Sequence, residues 1–248
     1  MTTPSHVYFI SDVHLGVDYE WSSEEREKQL ILWLEEVSSN AKKIYIVGDL
    51  FDYWFEYRSA VPKGYFNLLS TLRKLSDRNI EINYLTGNHD MWHKDYVADS
   101  TGVRVTHGYV IDQIDGLKFY ITHGDGLGSG DRSYKVIRSI LKNRACHKLF
   151  SLLHPSIGLP LMKYMSRKSR ESHESKLNPT LRQKEYCRSI GKKRNDIDYF
   201  IMGHAHSPEV TDIEYSQYVN LGDWTNHFTF AIWDGQSIEL KRWNPIRS

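Results

Sequence analysis

The sequence predicts an α/β fold of layered sheets and helices, and three observations support this prediction. Five short apolar runs each end in a polar or glycine-bearing turn, which is typical of buried strands. Helical patterns separate the first three of these runs, as a layered α/β core requires. The chain has 248 residues, of which 40% are hydrophobic and 25% charged, which excludes a disordered or collagen-like chain.

The elements follow in chain order. The predicted buried strands are residues 7–10, 44–47, 82–85, 119–122 and 199–202. Ser22 and Glu25 have the spacing of a capping box that begins the first helix, and residues 65–75 repeat apolar side chains at helical spacing. After Pro208 we expect a β-meander that closes the sheet, formed by runs at 218–221, 228–233 and 238–240. Asp234-Gly235 is the expected hairpin turn between the last two runs.

Charge is distributed unevenly along the chain, although the net charge is only +1. Residues 126–195 hold 17 Lys and Arg against 4 Asp and Glu, and the remainder is acidic. A basic block of this length indicates an anionic partner, and a solvated helical face is the alternative. The predicted domains are a core formed by residues 1–128 and 196–248, and a basic helical insertion at 129–195, whose last helix begins at Asn178-Pro179.

The cysteines and the apolar runs bear on the cellular location. Cys146 and Cys187 lie far apart and outside any CxxC pattern, which favours a reducing compartment over a disulfide. The first ten residues lack the basic and apolar regions of a signal peptide, and no apolar run has the length of a membrane span. We therefore expect a cytoplasmic protein.

Metal-binding side chains follow all five predicted strands. The carboxyl ends of strands in an open α/β sheet meet at one edge, so these side chains are expected to lie together. Carboxylate, imidazole and amide donors without sulfur suit Mn²⁺, Fe²⁺ or Zn²⁺. Seven donors exceed one tetrahedral site but suit two ions that share a carboxylate, an arrangement that hydrolyses phosphoesters. The predicted ligands are Asp12, His14, Asp49, Asn88, His123, His204 and His206.

The motifs D-x-H, G-D-x-x-D, G-N-H-D, H-G-D and G-H-x-H, in that order, resemble the signature of the calcineurin-like metallophosphoesterase superfamily. The resemblance covers nearly the whole chain apart from the basic insertion. It implies a four-layer αββα sandwich with a helical cap and two divalent ions, with Mn²⁺ as the expected metal. The implied ligands of one ion are Asp12, His14, Asp49 and His206, and those of the other are Asp49, Asn88, His123 and His204.

The same resemblance implies roles for four further side chains. His89 is expected to be catalytic, as a cationic or proton-donating group beside the scissile phosphate, with Asp90 orienting its ring. Asp52 and Asp125 are expected to hold ligands or loops in place.

Within the superfamily, residues 48–54 and 123–127 most resemble the branch of UDP-2,3-diacylglucosamine pyrophosphohydrolases of lipid A biosynthesis. That resemblance implies cleavage of a nucleotide diphosphate to UMP and 2,3-diacylglucosamine 1-phosphate. Well-known members of the branch carry Arg where this chain has His89, a departure that affects the substrate assignment but not the reaction type. The implied substrate contacts are Asn88, His89, Asp131, Tyr134, Ser169 and Arg170.

The insertion leaves several interpretations open. Residues 136–165 interleave apolar and basic side chains, which fits peripheral contact with an anionic inner membrane, a slot for acyl chains, or packing of the cap onto the core. A nuclease that acts on nucleic acid or nucleotides is the alternative enzyme, although the insertion has no clear series of stacking aromatics. A non-catalytic interaction scaffold is the other alternative, which the seven intact donors argue against. No feature indicates an obligate protein partner.

Overall fold

The computed structural model describes residues 5–128, 132–172 and 178–246; of residues 132–135, 137 and 169–172 it describes the backbone only. The strands within these ranges are β1 (His6–Ile10), β2 (Ala41–Val47), β3 (Glu81–Thr86), β4 (Arg104–His107), β5 (Tyr109–Ile114), β6 (Leu117–Thr122), β7 (Tyr199–Met202), β8 (Glu209–Ile213), β9 (Ser216–Asn220), β10 (Thr229–Trp233) and β11 (Ile238–Arg242). The helices are α1 (Ser23–Val37), α2 (Phe66–Asp77), α3 (Tyr96–Thr101), α4 (Arg132–Leu141), α5 (Arg144–Phe150), α6 (Pro155–Ser172) and α7 (Pro179–Gly191).

The strands form two sheets. The first has the order β11-β10-β1-β2-β3-β4, with β1 to β4 parallel, and the second has the order β5-β6-β7-β9-β8. The predicted C-terminal meander is wrong, because β9 pairs in parallel with β7 while β10 pairs antiparallel with β1 of the other sheet. Only the hairpin between β10 and β11, at Asp234-Gly235, matches that expectation.

Apolar side chains divide the fold into four layers. Phe9 and Val47 of the first sheet pack against Phe119 and Ile201 of the second, and form the core between the sheets. The outer face of the first sheet is covered by α1 and α2, and that of the second by α7, whose Cys187 is fully buried. The predicted α/β fold class, an αββα sandwich with further helices, is confirmed.

Local sequence signals explain where several helices begin. The Ser22 hydroxyl accepts from the amide of Glu25, and the Glu25 carboxylate accepts from the amide of Ser22, so α1 starts with the predicted capping box. Asn178 caps α7, and Pro179 occupies its first turn. Helix α7, which the predicted insertion at 129–195 includes, packs on the second sheet.

The remaining helices of the insertion, α4 to α6, contact loops that follow β2 and β3. Phe55 and Trp92 of the core pack against Met162 of α6 and Phe150 of α5. The indole of Trp92 also donates to the carbonyl of Leu141 at the end of α4. In the part of the chain that the structure describes, no helix has the length and apolar character needed to cross a membrane.

Candidate metal centre

The seven predicted ligands converge where the carboxyl ends of both sheets face each other. In the first sheet, Asp12 and His14 follow β1, Asp49 follows β2 and Asn88 follows β3. In the second sheet, His123 follows β6, and His204 and His206 follow β7. The sequence predicted these ligands at the edge of one sheet. In the structure they come from two sheets, because the loops that end parallel strands in each sheet point into the same cleft.

The backbone at five of these residues is left-handed. The φ angles are 56° at Asp12, 50° at His14, 52° at Asp49, 64° at His204 and 49° at His206. A left-handed conformation at a non-glycine residue costs on the order of 1–3 kcal/mol and is concentrated at functional sites. The fold therefore accepts strain to direct these side chains inward.

Asp12, His14 and His206 form the first cluster of possible ligands. Nε2 of His206 lies 3.1 Å from Oδ1 of Asp12 and 3.4 Å from Nε2 of His14. The other carboxylate oxygen of Asp12 accepts from the hydroxyl of Ser11 at 2.5 Å and from the amide of His204 at 2.8 Å. Oδ1 of Asp12 is buried and accepts no hydrogen bond from the described residues. A buried carboxylate oxygen that accepts no hydrogen bond and faces two imidazole nitrogens fits a cation bound by all three side chains.

Asp49, His123 and His204 form the second cluster, and Asn88 adjoins it. Nε2 of His123 lies 3.1 Å from Oδ2 of Asp49 and 3.2 Å from Oδ1 of Asn88. Nδ1 of His123 is 2.9 Å from the carbonyl of Val47, to which it donates, so the ring presents Nε2 to the other residues of the cluster.

Asp49 connects the two clusters. Its Oδ2 is 3.1 Å from Nε2 of His123 and 3.8 Å from Nε2 of His14, while its Oδ1 accepts from the amide of His89. The side chain is 1% exposed. Asp49 therefore occupies the position that a carboxylate shared by two ions requires.

Glycines make room for these ligands. A Cβ atom at Gly87 would lie 2.1 Å from Oδ1 of Asp49, and one at Gly48 would lie 2.4 Å from Nδ1 of His123. One at Gly203 would lie 2.5 Å from Oδ2 of Asp12. The glycines of G-D, G-N-H-D and G-H-x-H are thus required by close packing of backbone against the ligands.

The electrostatics of the site favour cations. Burial raises the pKa of Asp49, but the neighbouring His123 and His89 outweigh it and hold that pKa well below the usual range. Within the described part of the chain, the ion pairs of Asp12 and Asp49 are to histidines alone, and neither carboxylate pairs with Lys or Arg. Burial lowers the pKa of His204 to about 3, so its imidazole is neutral, as a metal ligand must be.

The environment of His89 differs from the expected one. Both oxygens of Asp90 are engaged elsewhere, by the Tyr84 hydroxyl and by the amides of Gly87 and Phe51. That carboxylate turns back into the loop to hold its backbone, and a role of Asp90 in orienting the His89 ring stays a prediction. The ring of His89 contacts Asp52 instead, with Nδ1 at 3.1 Å from the Asp52 carbonyl.

Asp52 and Asp125 lie behind the predicted ligands. Oδ1 of Asp52 is 3.4 Å from Nδ1 of His14. Asp125 is buried and forms a two-pronged ion pair with Arg138 of α4, so it connects the insertion to the core. Burial raises the pKa of Asp125, but His123 and Arg138 hold it below its usual value.

Sequence reasoning missed three supporting residues. Ser11 directly precedes Asp12 and fixes its carboxylate, a signal that the S-D-x-H spacing contained. Asp223 is fully buried, with Oδ2 at 3.8 Å from Nδ1 of His206 and 2.5 Å from Nδ1 of His227. Ser166 reaches the site from α6, and no local pattern indicates this.

The expected substrate contacts in the insertion are only partly placed. Asp131 lies outside the described residues. Tyr134 lies in α4, and Ser169 and Arg170 lie in α6, and for these three residues the structure describes only the backbone. Asn88 and His89 lie at the metal clusters, where both residues are only partly exposed.

The chain matches the family model of the calcineurin-like phosphoesterases over residues 5–208, which include all seven predicted ligands. It belongs to this family. Together with the ligand clusters, membership makes the chain a metal-dependent hydrolase of the metallophosphoesterase class.

Three relatives of this chain within the family share the same name. A Porphyromonas gingivalis protein named UDP-2,3-diacylglucosamine hydrolase is 32% identical, over 96% of this chain and 97% of that protein. A protein of the same name from Neisseria meningitidis serogroup B is 29% identical, over 89% of this chain and 90% of its own length. A third protein of this name, from Hamiltonella defensa, is 28% identical over 83% of this chain and 79% of its own length.

Proposed function

We propose that this protein hydrolyses the diphosphate of UDP-2,3-diacylglucosamine to UMP and 2,3-diacylglucosamine 1-phosphate, a step of lipid A biosynthesis. Water adds to one phosphorus, the bridging P–O bond breaks, and the other phosphate leaves. The observation that carries the proposal is the position of Asp49 between two ligand clusters, which suits a dinuclear phosphohydrolase. The names of the three relatives, over most of the chain, support the choice of substrate.

The two clusters support the proposed ligand assignment. One ion would be held by Asp12, His14, Asp49 and His206, and the other by Asp49, Asn88, His123 and His204. The oxygen and nitrogen donors support Mn²⁺, and Fe²⁺ and Zn²⁺ suit the same set. When bound, the two ions supply Lewis-acid activation of water and of the phosphoryl oxygens.

His89 is the proposed catalytic side chain beside the ligands. One potential ligand atom of His89 lies within 4.8 Å of those of His14 and Asp49, so the ring borders the place where the diphosphate must bind. Nδ1 of His89 lies 3.1 Å from the Asp52 carbonyl, and Nε2 is the nitrogen proposed to face the substrate. From there the imidazole stabilises or protonates the leaving side of the scissile bond.

The insertion is proposed to receive the acyl chains and to contact an anionic membrane surface. Its helices pack on the core through one apolar face, yet other apolar side chains remain open: Leu149 is 68% exposed, Leu152 76% and Ile157 60%. Arg144, Lys148 and Lys163 are exposed residues of the same stretch of sequence. Apolar area and basic charge add in binding to anionic lipid, which supports a cytoplasmic enzyme peripherally associated with the inner membrane.

The substrate is tested by turnover. The Mn²⁺-loaded protein is expected to release UMP from UDP-2,3-diacylglucosamine far faster than it cleaves UDP-N-acetylglucosamine or single-stranded DNA, and Asp49→Ala is expected to be inactive. Equal rates on the acyl-free sugar nucleotide would contradict the substrate, and full activity of Asp49→Ala would contradict the mechanism.

The membrane contact is tested by vesicle sedimentation. Vesicles with anionic phosphatidylglycerol are expected to bind the protein, and a Leu149→Ser, Leu152→Ser double variant is expected to bind less. Leu32→Ser is the matched control, because Leu32 is an exposed leucine of α1 on the core. An equal loss in the control, or equal binding to neutral phosphatidylcholine vesicles, would contradict this surface.

A further inference from the structure

One hydroxyl from the insertion reaches the catalytic side of the core. Ser166 lies in α6, is 8% exposed, and has its Oγ 2.8 Å from Oδ2 of Asp52 and 2.8 Å from Nδ1 of His89. Asp52 is separated from it by 114 residues of chain and His89 by 77. These contacts therefore depend on the position of α6 on the core.

The proton positions follow from the chemistry of the three groups. The Asp52 carboxylate only accepts hydrogen bonds, so the single hydroxyl proton of Ser166 is donated to it. The Ser166 oxygen then accepts from Nδ1–H of His89, and the Asp52 carbonyl, at 3.1 Å, accepts from the same N–H. With the proton held at Nδ1, the ring can turn only Nε2 toward the diphosphate.

The packing of α6 places this hydroxyl. Of the α6 residues whose burial the structure describes, three are buried, namely Gly158, Met162 and Ser166. They are spaced four residues apart and so lie on one face of the helix. A Cβ atom at Gly158 would lie 1.8 Å from the hydroxyl of Tyr57, so the helix backbone lies against that ring. Met162 packs with Phe55 and Trp92 in the cluster that joins insertion and core.

We propose that Ser166 is a positioning residue of the active site, which fixes the ring of His89 through Nδ1 and thereby makes the insertion a part of the catalytic apparatus. The inference rests on the proposed function only for the role of His89 at the scissile diphosphate. Asp52 adds to the arrangement, since its Oδ1 lies 3.4 Å from Nδ1 of His14 and 3.7 Å from Nδ1 of His89.

Three variants test the assignment. Ser166→Ala removes the hydroxyl, Ser166→Thr retains it, and Ser156→Ala removes an exposed hydroxyl from the first turn of the same helix as a matched control. In Ser166→Ala we expect kcat to fall by about tenfold, with KM and metal content changed by less than about twofold, because orientation and not binding is lost. Ser166→Thr is expected to recover most of kcat, and Ser156→Ala is expected to equal the wild type.

A spectroscopic measurement reads the contact without turnover. In ¹⁵N NMR spectra of the Zn²⁺-loaded protein, the Nδ1–H signal of His89 is expected to be sharp, because the side chain is 8% exposed and Nδ1 has two acceptors. Its disappearance in His89→Gln gives the assignment. The signal is expected to broaden by solvent exchange in Ser166→Ala and to stay sharp in Ser166→Thr and Ser156→Ala.

The outcomes separate this inference from the proposed function. An unchanged Nδ1–H signal with unchanged kcat in Ser166→Ala would overturn the role of Ser166, as would a fall in Zn²⁺ affinity as large as the fall in kcat. If the wild type does not cleave UDP-2,3-diacylglucosamine, the proposed function fails, while the NMR comparison still decides whether Ser166 holds the His89 ring.

Discussion

Replacing Gly87 by alanine should disable the metal centre without removing any ligand. The added Cβ would lie 2.1 Å from Oδ1 of Asp49 and 2.7 Å from its Cγ and backbone nitrogen. Ordinary contacts of a Cβ atom begin near 3.4 Å, so Asp49 must move by about 1 Å, whereas metal–ligand distances tolerate about 0.2 Å. We expect Mn²⁺ affinity to fall by about 10- to 100-fold, the range seen when support of a ligand is lost.

The assay is calorimetric titration of the metal-free protein with Mn²⁺, accompanied by thermal unfolding in EDTA to verify that each variant folds. Gly191→Ala is the control, since a Cβ atom at Gly191 of α7 would meet no heavy atom within 4 Å. Wild-type Mn²⁺ affinity in a folded Gly87→Ala would refute the argument that this glycine makes room for the shared carboxylate.

Three further predictions concern charge. Asp49→Asn removes the shared carboxylate, so metal analysis should find both ions lost and kcat should fall by at least about a thousandfold; two retained ions would contradict the sharing. Burial raises the pKa of Glu56, but the neighbouring His93 and hydrogen bonds from the Tyr96 amide and the Trp54 indole lower it to about 2 from 4.5. Glu56 therefore contributes on the order of 3 kcal/mol above pH 4.5 that is lost as the pH falls toward 2. Urea unfolding at pH 7 and pH 3 should show this dependence reduced in Glu56→Gln, and an unchanged dependence would exclude it. Arg138→Ala removes a partner of the buried Asp125 and should lower the free energy of unfolding by about 1–2 kcal/mol in urea, while equal stability would mean that the pair contributes nothing.

The sequence predicted those parts of the fold that depend on local pattern. Strands β1, β2, β3, β6 and β7 appear where compact apolar runs indicated them, because each is buried within the sandwich. Strand β4 was not predicted, since its side chains are half-buried or exposed and carry no strong pattern. Division of the C-terminal strands between two sheets depends on long-range pairing of β7 with β9 and of β1 with β10, which no local periodicity encodes.

At the candidate site too, some features could be predicted from local sequence and others could not. Residue type and position after a strand were enough to predict that Asp49, His123 and His204 lie close together, because strand ends determine where the loops go. The direction of a side chain within a loop was not predictable in this way. The Asp90 carboxylate satisfies its own loop, and the ring of His89 is held by Asp52 and by a hydroxyl from α6.

The number and positions of bound ions test the central claim most directly. Crystals of the protein grown with Mn²⁺ and measured at the manganese absorption edge should give two anomalous peaks about 3.5 to 4 Å apart, with the Asp49 carboxylate between them. A single peak, or peaks away from Asp49 with His123 and His206 turned elsewhere, would contradict a dinuclear centre built from these seven side chains.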